Sequence, residues 1–418
     1  MTMAKRRRVT VDWAAKLAAM VSQQGATLGD GATDASPSQD CVIARKGGKV
    51  GGDQPCFHKM LSPRVRSQDL DHPCRFGDLL RSEDNAGGPR VAITVCMRGC
   101  PAPRLREWLF WHLSQGVCVI FLRWEGPLNK EQKAALHGPL QRGEVLLTQI
   151  STSRQSSSFQ AVMSRQVKFT HSSISAARER GCDFLLHLDD DELLCPRDEN
   201  SNILNVFKRH VGSSAKCIHF ANLEAVFRYD QATDQPFSRP CTCFRTQAHV
   251  LYCNGKSAAN LTAPGDVFCS GVHHFCQYDR SFEPPLPEYG LHDDGSGCTH
   301  PSCCSNDDAA VVLHFDSPSF EEWQVKFRAR AMSKFSEQDD EELQIFPFKK
   351  ESLRTLRRAN SSESEQRRVY RRWRCLPGLP HDSFDPFLTG QTVAARLTQA
   401  LHCARQHAAG RCLGCSEV

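Results

Sequence analysis

The sequence has no uninterrupted apolar segment of the roughly 18 to 20 residues that a membrane-spanning helix requires. The N-terminal residues include a basic cluster at 5–8, but Asp12 and Lys16 interrupt the segment that follows, so the continuous apolar region of a signal peptide is missing as well. The chain as it stands is therefore expected to be soluble and cytoplasmic. An incomplete N-terminus would leave the Golgi or secretory pathway open.

Several short motifs are also missing. The chain contains neither a GxxxxGK[ST] loop nor a GxSxG elbow, which argues against P-loop and α/β-hydrolase chemistry. Lys and Arg number 52 against 47 Asp and Glu, a formal net charge of only +5, so no field of the whole molecule attracts nucleic acid. No nucleic-acid partner is expected.

Cysteine is abundant, with 21 residues in 418. No pair of CxxC knuckles occurs at zinc-finger spacing, and the cysteines are spread over every segment, which favours scattered reduced thiols. A zinc site that includes Cys412 and Cys415, or a few disulfides in a secretory setting, are the alternatives.

Composition and periodicity divide the chain into three parts. Residues 1–90 are rich in Gly, Ser, Asp and Pro without a period of 2 or 3.6, which predicts a disordered or loosely ordered extension. Residues 91–335 carry the strand and helix patterns. Residues 336–418 are expected to form a basic helical extension, because 349–374 contains ten basic and three acidic residues. This run predicts a solvated helix face, with an anionic membrane or an acidic polysaccharide as alternative contacts.

The middle part predicts an α/β fold. Val91 to Met97 is a β-branched apolar run, residues 104–115 place apolar side chains at i, i+3, i+4 and i+7, and 117–122 is a second apolar run after Gly116. Strand, helix and strand within so short a segment form a βαβ unit with parallel strands. A mainly parallel sheet flanked by helices is therefore expected.

An acidic cluster follows the strand predicted at 182–188. Asp189, Asp190, Asp191 and Glu192 come directly after it, and ligands bind outside the carboxyl ends of strands in open α/β sheets. Adjacent carboxylates repel one another unless a cation neutralises them, and hard oxygen ligands suit Mg²⁺ or Mn²⁺. A solvated acidic turn that caps a helix is the alternative interpretation.

The segment around this cluster resembles the strand-plus-DxD signature of GT-A-fold glycosyltransferases. The segment from Leu105 to Val117 is similar to a helix of family-92 and related family-2-like enzymes. The chain departs from that family after the first strand, where it has Met97 to Pro101 in place of a Lys-Asn-Glu type of turn. The further matches, in the family's order, are Asn254 to Ser257, Gly271 to Phe275, His314, Ser319 to Trp323 and Lys326.

The resemblance implies a site. Asp189 and Asp191 would hold the metal and through it the diphosphate of a nucleotide sugar, with Asp190 near the ribose or sugar. A histidine of the C-terminal half would join them, and the donor would also meet basic side chains. The remaining candidates are His273, His274 and His314 for the metal, Lys256 and Arg98 for phosphate, and Glu224 and Asp266 for the general base.

The sequence therefore predicts a metal-dependent hexosyltransferase of inverting type. It would move a sugar from a nucleotide-sugar donor to a hydroxyl of a glycan or glycoconjugate, with Mn²⁺ or Mg²⁺ as cofactor. Two alternatives remain open: a catalytically degenerate binding protein with the same fold, and a phosphoryl-transfer enzyme that holds two metal ions on the acidic cluster.

Overall fold

The computed structural model describes residues 88–150, 159–227, 236–238, 242–245, 255–269, 271–273, 275–277, 304–332, 347–358, 360–375 and 384–408. Almost all of the predicted N-terminal extension, and the pair Cys412 and Cys415, lie outside these residues. No helix within the described ranges has both the length and the apolar character needed to cross a membrane.

Fourteen strands and eight helices are described in chain order. They are β1 (Val91–Met97), α1 (Ala102–Ser114), β2 (Val119–Glu125), α2 (Lys130–Gln141), β3 (Val145–Ile150), α3 (Phe159–Glu179), β4 (Phe184–His187), β5 (Glu192–Pro196), α4 (Ile203–Lys208), β6 (Cys217–Phe220), β7 (Asn222–Phe227), β8 (Thr242–Arg245), β9 (Lys256–Asn260), β10 (Val267–Cys269), β11 (Phe275–Gln277), β12 (Cys304–Asn306), β13 (Ala310–His314), α5 (Phe320–Met332), α6 (Pro347–Arg357), α7 (Glu363–Arg374), β14 (Phe384–Thr389) and α8 (Gly390–Ala408).

The larger sheet has seven strands in the order β12-β6-β9-β4-β1-β2-β3. Only β9 runs antiparallel to its neighbours. The strands β1 and β4 are almost completely buried, as expected for a parallel sheet covered by helices on both faces. The predicted mainly parallel α/β architecture is confirmed at this level.

The strand order creates a switch point beside β1. The chain passes from β1 to β2 and β3 on one side, and then returns to β4 on the other side of β1. In doubly wound sheets a crevice opens outside the carboxyl ends of the strands where the order reverses. The acidic cluster follows β4 and therefore lies at this crevice.

A second sheet of five strands has the order β14-β8-β7-β13-β5. Only Ala221 separates β6 from β7, so the chain passes directly from the larger sheet to the second one. In the register of this sheet His314 is paired with both Glu192 and Glu224. This pairing brings three polar residues from distant parts of the sequence to the end of β5 that adjoins the acidic cluster.

The C-terminal helices pack on the same unit. An aromatic cluster joins α5, α6 and α7, and the Trp323 indole N–H donates to Ser352 Oγ at 2.9 Å. β14 pairs with β8 and so completes the second sheet. The helices predicted between 349 and 374 are present, and their inner faces are buried. The members of the cluster are Phe320, Trp323, Phe327, Phe348, Leu353, Val369, Tyr370 and Cys375.

Candidate functional site

The acidic loop between β4 and β5 is held by its backbone. The indole N–H of Trp108, on α1, donates to the carbonyl oxygen of Glu192 at 2.8 Å and to that of Asp189 at 3.2 Å. The backbone N–H of Asp189 donates to Glu192 Oε2 at 2.8 Å. Trp108 and Glu192 are fully buried, so the loop has a defined conformation at the switch point.

Lys256, the first residue of β9, lies beneath Asp189. Its Nζ is 2.7 Å from Asp189 Oδ2, 3.3 Å from Glu192 Oε2 and 3.4 Å from the carbonyl oxygen of Val272. The other oxygen of Asp189, Oδ1, accepts a hydrogen bond from Gln166 Nε2 at 3.0 Å. Both carboxylate oxygens of Asp189 thus meet protein donors, and the Lys256 side chain is fully buried.

The charges in this pair are mutually stabilised. Burial lowers the pKa of Lys256, but the carboxylates of Asp189 and Glu192 outweigh this effect and raise it above its usual value. Burial raises the pKa of Asp189, but Lys256 and His187 bring it down to about 2. Burial raises the pKa of Glu192 to about 7 despite the nearby Lys256. Asp189 is therefore an anion over the whole physiological range.

Asp191 and His314 lie on directly paired segments, since the backbone N–H of Phe315 donates to the carbonyl oxygen of Asp191 at 2.8 Å. His314 Nδ1 lies 2.8 Å from Glu224 Oε1, and His314 Nε2 lies 3.7 Å from Asp191 Oδ2. With its Nδ1 proton donated to Glu224, the imidazole turns its second nitrogen toward Asp191. A carboxylate behind an imidazole is the usual arrangement that orients a metal-binding histidine and makes it more basic.

The electrostatics of this group follow from the neighbouring charges. Burial lowers the pKa of His314, but Glu224 and Asp191 raise it well above its ordinary value. Burial raises the pKa of Asp191, but Lys326 and His314 hold it well below its usual range. The pKa of Asp190, between its two acidic neighbours, rises to about 6 through burial and the charge of Asp191.

Lys326, on α5, is the second lysine at the acidic loop. Its Nζ lies 3.5 Å from Asp191 Oδ2 and forms an ion pair with Asp316. Asp316 also accepts a hydrogen bond from Ser317 Oγ at 2.8 Å. Burial raises the pKa of Asp316, but Lys326 and His314 lower it well below its usual value. One third of the Lys326 side chain is exposed, in contrast to Lys256.

Arg374, the last residue of α7, supports this group from behind. Its Nη1 is 3.4 Å from Glu224 Oε2, both side chains are completely buried, and its Nη2 donates to the backbone carbonyl of Asp316. The hydroxyl of Tyr370 donates to the carbonyl of Ser317 at 3.3 Å. The predicted basic extension therefore contributes directly to the wall of the site.

The predicted base candidates occupy different places. Glu224 is completely buried and engaged by His314, by Arg374 and by Asn222 Nδ2 at 3.2 Å. Asp266 is exposed and lies 3.9 Å from Arg178, in the last turn of the helix that leads into the start of β4. The structure thus places Glu224 next to His314 and Asp266 at the opposite end of β4 from the acidic loop.

The other predicted ligands are also separated. Arg98 is exposed directly after β1, at the crevice. His273 Nδ1 donates to the carbonyl of Gly255 at 2.8 Å, on the loop before Lys256. His274 lies outside the described residues. Of the predicted histidines that are described, His314 is the one that the fold brings to Asp191.

Asp191 and His314 fit a divalent cation as a pair. Without a metal, the raised pKa of His314 makes this contact an ion pair at 3.7 Å. Two ligands of one metal at about 2.1 Å each lie roughly 3 to 4 Å apart, so a cation that displaces the Nε2 proton would have the spacing it needs. Within the described residues, no group of three or more His, Cys, Asp or Glu side chains converges to hold a metal. The two side chains therefore supply two ligands, and water and substrate phosphate would have to complete the shell of the cation. Since one of the two is an imidazole, the pair suits a transition metal better than Mg²⁺.

Three residues that contact the loop or its support were not among the predicted site residues: Gln166, Asp316 and Arg374. Gln166 lies on an amphipathic helix with no local motif. Arg374 is one of ten basic residues in its run, and only its burial separates it from the others. The His-Phe-Asp-Ser sequence that ends β13 was the available signal for Asp316.

The outer faces of α6 and α7 are basic. Arg372 pairs with Glu351 at 3.3 Å and Arg358 with Glu365 at 3.1 Å, which links the two helices at the surface. A contact of this face with an anionic membrane or an acidic polysaccharide remains a prediction. The exposed arginines on the two helices and directly after the first of them include Arg354, Arg357, Arg358, Arg368, Arg371 and Arg372.

Neither a protein-family model nor a curated protein sequence matches the chain. Among solved structures, GalNAc-T7 with UDP, GalNAc and Mn²⁺ is similar at 8% identity and a TM-score of 0.24, over 42% of this chain and 36% of that one. The chain thus spans about a third of the length of GalNAc-T7.

Two further structures are similar over more of the chain. The mannosyltransferase PcManGT from Pyrobaculum calidifontis, in complex with GDP-Man and Mn²⁺, has 11% identity and a TM-score of 0.26, over 77% of this chain and 88% of that one. Mannose-1-phosphate geranyltransferase from Thermus thermophilus has 12% identity and a TM-score of 0.20, over 69% of each chain. At these scores the similarity establishes no shared activity.

Proposed function

We propose that the protein is a GT-A-like glycosyltransferase that moves a sugar from a nucleotide-sugar donor to a hydroxyl of a glycan or glycoconjugate. One observation carries the proposal: Asp191 faces His314 at the switch point of the sheet, and His314 is oriented by the buried Glu224. This combination of carboxylate, imidazole and supporting carboxylate suits a metal that also binds the diphosphate of a donor.

Each residue has a distinct task in this proposal. Asp191 and His314 would hold Mn²⁺ or Mg²⁺, and a bound cation supplies neutralisation of the charge that develops on the departing diphosphate. Lys256 and Gln166 fix Asp189, which keeps the loop in its conformation. Asp190, at the centre of the loop, faces the ribose or sugar. The contacts of Glu224 support an orienting role rather than that of a base.

The test is Asp191→Asn, an isosteric change that removes one charge. We expect Mn²⁺ affinity, measured by calorimetry, and Mn²⁺-dependent turnover over a panel of nucleotide sugars to fall at least about 100-fold, since loss of outer-shell partners alone costs 10- to 100-fold. Asp308→Asn, at an exposed aspartate between β12 and β13, is the matched control and should behave like the wild type. Unchanged turnover by the Asp191 variant would overturn the proposal.

A second candidate function is binding of a nucleotide sugar without transfer. It is favoured by the positions of the two predicted bases, because Glu224 is enclosed by protein partners and Asp266 lies at the far end of β4. This candidate predicts Mn²⁺-dependent binding of one donor without hydrolysis or transfer. Phosphoryl transfer by two metals has no comparable support, because within the described residues no group of three or more His, Cys, Asp or Glu side chains is placed to hold a metal ion.

A further inference from the structure

Two lysines reach the same acidic loop, Lys256 at Asp189 and Lys326 at Asp191. Lys256 is completely buried, and three protein oxygens surround its Nζ. Lys326 has 33% of its side chain exposed and is tethered by Asp316. Lys256 is the phosphate candidate that the resemblance implies, but its ammonium group is enclosed by the protein. The two lysines therefore have different access to a ligand.

The Lys326 ammonium group approaches the same carboxylate oxygen of Asp191 that faces His314. Asp191 Oδ2 lies 3.7 Å from His314 Nε2 and 3.5 Å from Lys326 Nζ. A diphosphate bound at Asp191 and His314 would thus lie beside the ammonium group of Lys326, whose side chain is one third exposed. Lysine is a compact point charge that suits phosphate oxygens.

The geometry assigns to Lys326 the binding of the donor's diphosphate, with Lys256 as the internal counter-ion of the acidic loop. This assignment rests on the proposed function. Asp316 keeps the ammonium in place: its carboxylate is 3% exposed, it is hydrogen-bonded by Ser317, and its backbone carbonyl is held by Arg374. Lys326 is therefore fixed at the mouth of the site before a ligand arrives, which reduces the entropy lost on binding.

The experiment compares Lys326→Met with the wild type in three calorimetric titrations: Mn²⁺ alone, UDP or GDP with Mn²⁺, and uridine or guanosine with Mn²⁺. We expect the affinity for the nucleoside diphosphate to fall at least about tenfold, as for loss of a hydrogen bond to a charged group. The affinity for Mn²⁺ alone should be unchanged or higher, because a positive charge near Asp191 has been removed. Binding of the nucleosides should not change.

Two further variants separate binding from folding. In Lys326→Met alone, the buried carboxylate of Asp316 loses its partner. The double variant Lys326→Met/Asp316→Asn removes that uncompensated charge, and it should show the same loss of nucleoside diphosphate affinity. Arg328→Met removes a positive charge from an exposed position on the same helix and should bind like the wild type.

The outcomes are distinct. Equal nucleoside diphosphate affinity in wild type and Lys326→Met, or a parallel loss for Mn²⁺ alone and for the diphosphate, would overturn the assignment. A wild-type protein that binds neither UDP nor GDP with Mn²⁺ would instead overturn the proposed function on which the assignment rests.

Discussion

Replacing Arg374 with methionine is expected to lower the free energy of unfolding by about 3 to 5 kcal/mol, the cost of leaving one member of a buried ion pair without its partner. Arg374 and Glu224 are both fully buried, at 3.4 Å. The guanidinium also lies 5.5 Å from the Phe227 ring and 5.8 Å from that of Phe348. Since domains are stable by only about 5 to 15 kcal/mol, this loss is large. Urea unfolding with linear extrapolation measures it.

Two comparisons make the reasoning refutable. Arg371→Met, one turn earlier on α7 at an exposed position, should change stability by no more than about 0.5 kcal/mol. Adding Glu224→Gln to Arg374→Met should restore part of the loss, because the uncompensated charge is then absent. A loss of less than about 1 kcal/mol in Arg374→Met would show that Glu224 does not depend on the C-terminal helix.

Two further changes probe the acidic loop and its support. Trp108→Phe removes the N–H that holds the carbonyls of Asp189 and Glu192, and should cost about 1 to 3 kcal/mol and weaken Mn²⁺ binding in calorimetry. Trp111→Phe is the control, because it removes a similar hydrogen bond, from the indole N–H to the carbonyl oxygen of Leu194 at 2.9 Å. It should lower stability by a similar amount and leave Mn²⁺ affinity unchanged. Equal Mn²⁺ affinities in the two variants would contradict a role of Trp108 in shaping the loop. Burial lowers the pKa of His112 to about 3. Between about pH 6.5 and pH 3, His112 is therefore protonated in the unfolded chain but not in the folded protein. As the pH decreases through this range, the free energy of unfolding falls by up to about 1.4 kcal/mol per pH unit. In urea unfolding over this pH range, His112→Gln should reduce the slope of the unfolding free energy against pH, whereas His171→Gln, at an exposed position, should not. Equal slopes in the two variants would show that the pH dependence does not come from His112.

The first half of the fold was predictable because its contacts are local. The predicted strand at 91–97 and the helix at 104–115 correspond to β1 and α1 within one or two residues. Gly116, expected after α1, has φ of +94°, and a Cβ there would lie 2.4 Å from the Leu204 side chain. A βαβ unit needs only neighbouring segments, so periodicity and punctuation were sufficient.

The second sheet was not predictable from these patterns. Nothing in the local pattern indicates that β6 and β7 belong to different sheets, since their pairing with β9 and β13 decides that. The same holds for the site. The acidic loop was evident from sequence, whereas the choice of His314 over His273 depends on the register of β13 against β5 and β7.

The second sheet also sets an order of events during synthesis. The parallel strands β1 to β4 are complete once residue 187 has been made, but β5 needs β13, and β8 needs β14 near residue 389. Such long-range pairing is slow and is completed only after its last strand emerges. A nascent chain thus carries the Asp189 to Asp191 carboxylates well before Lys256, His314 and Lys326 exist to balance their charge. Until then the carboxylates of the loop lack these cationic partners, and they gain them only when the C-terminal part has folded.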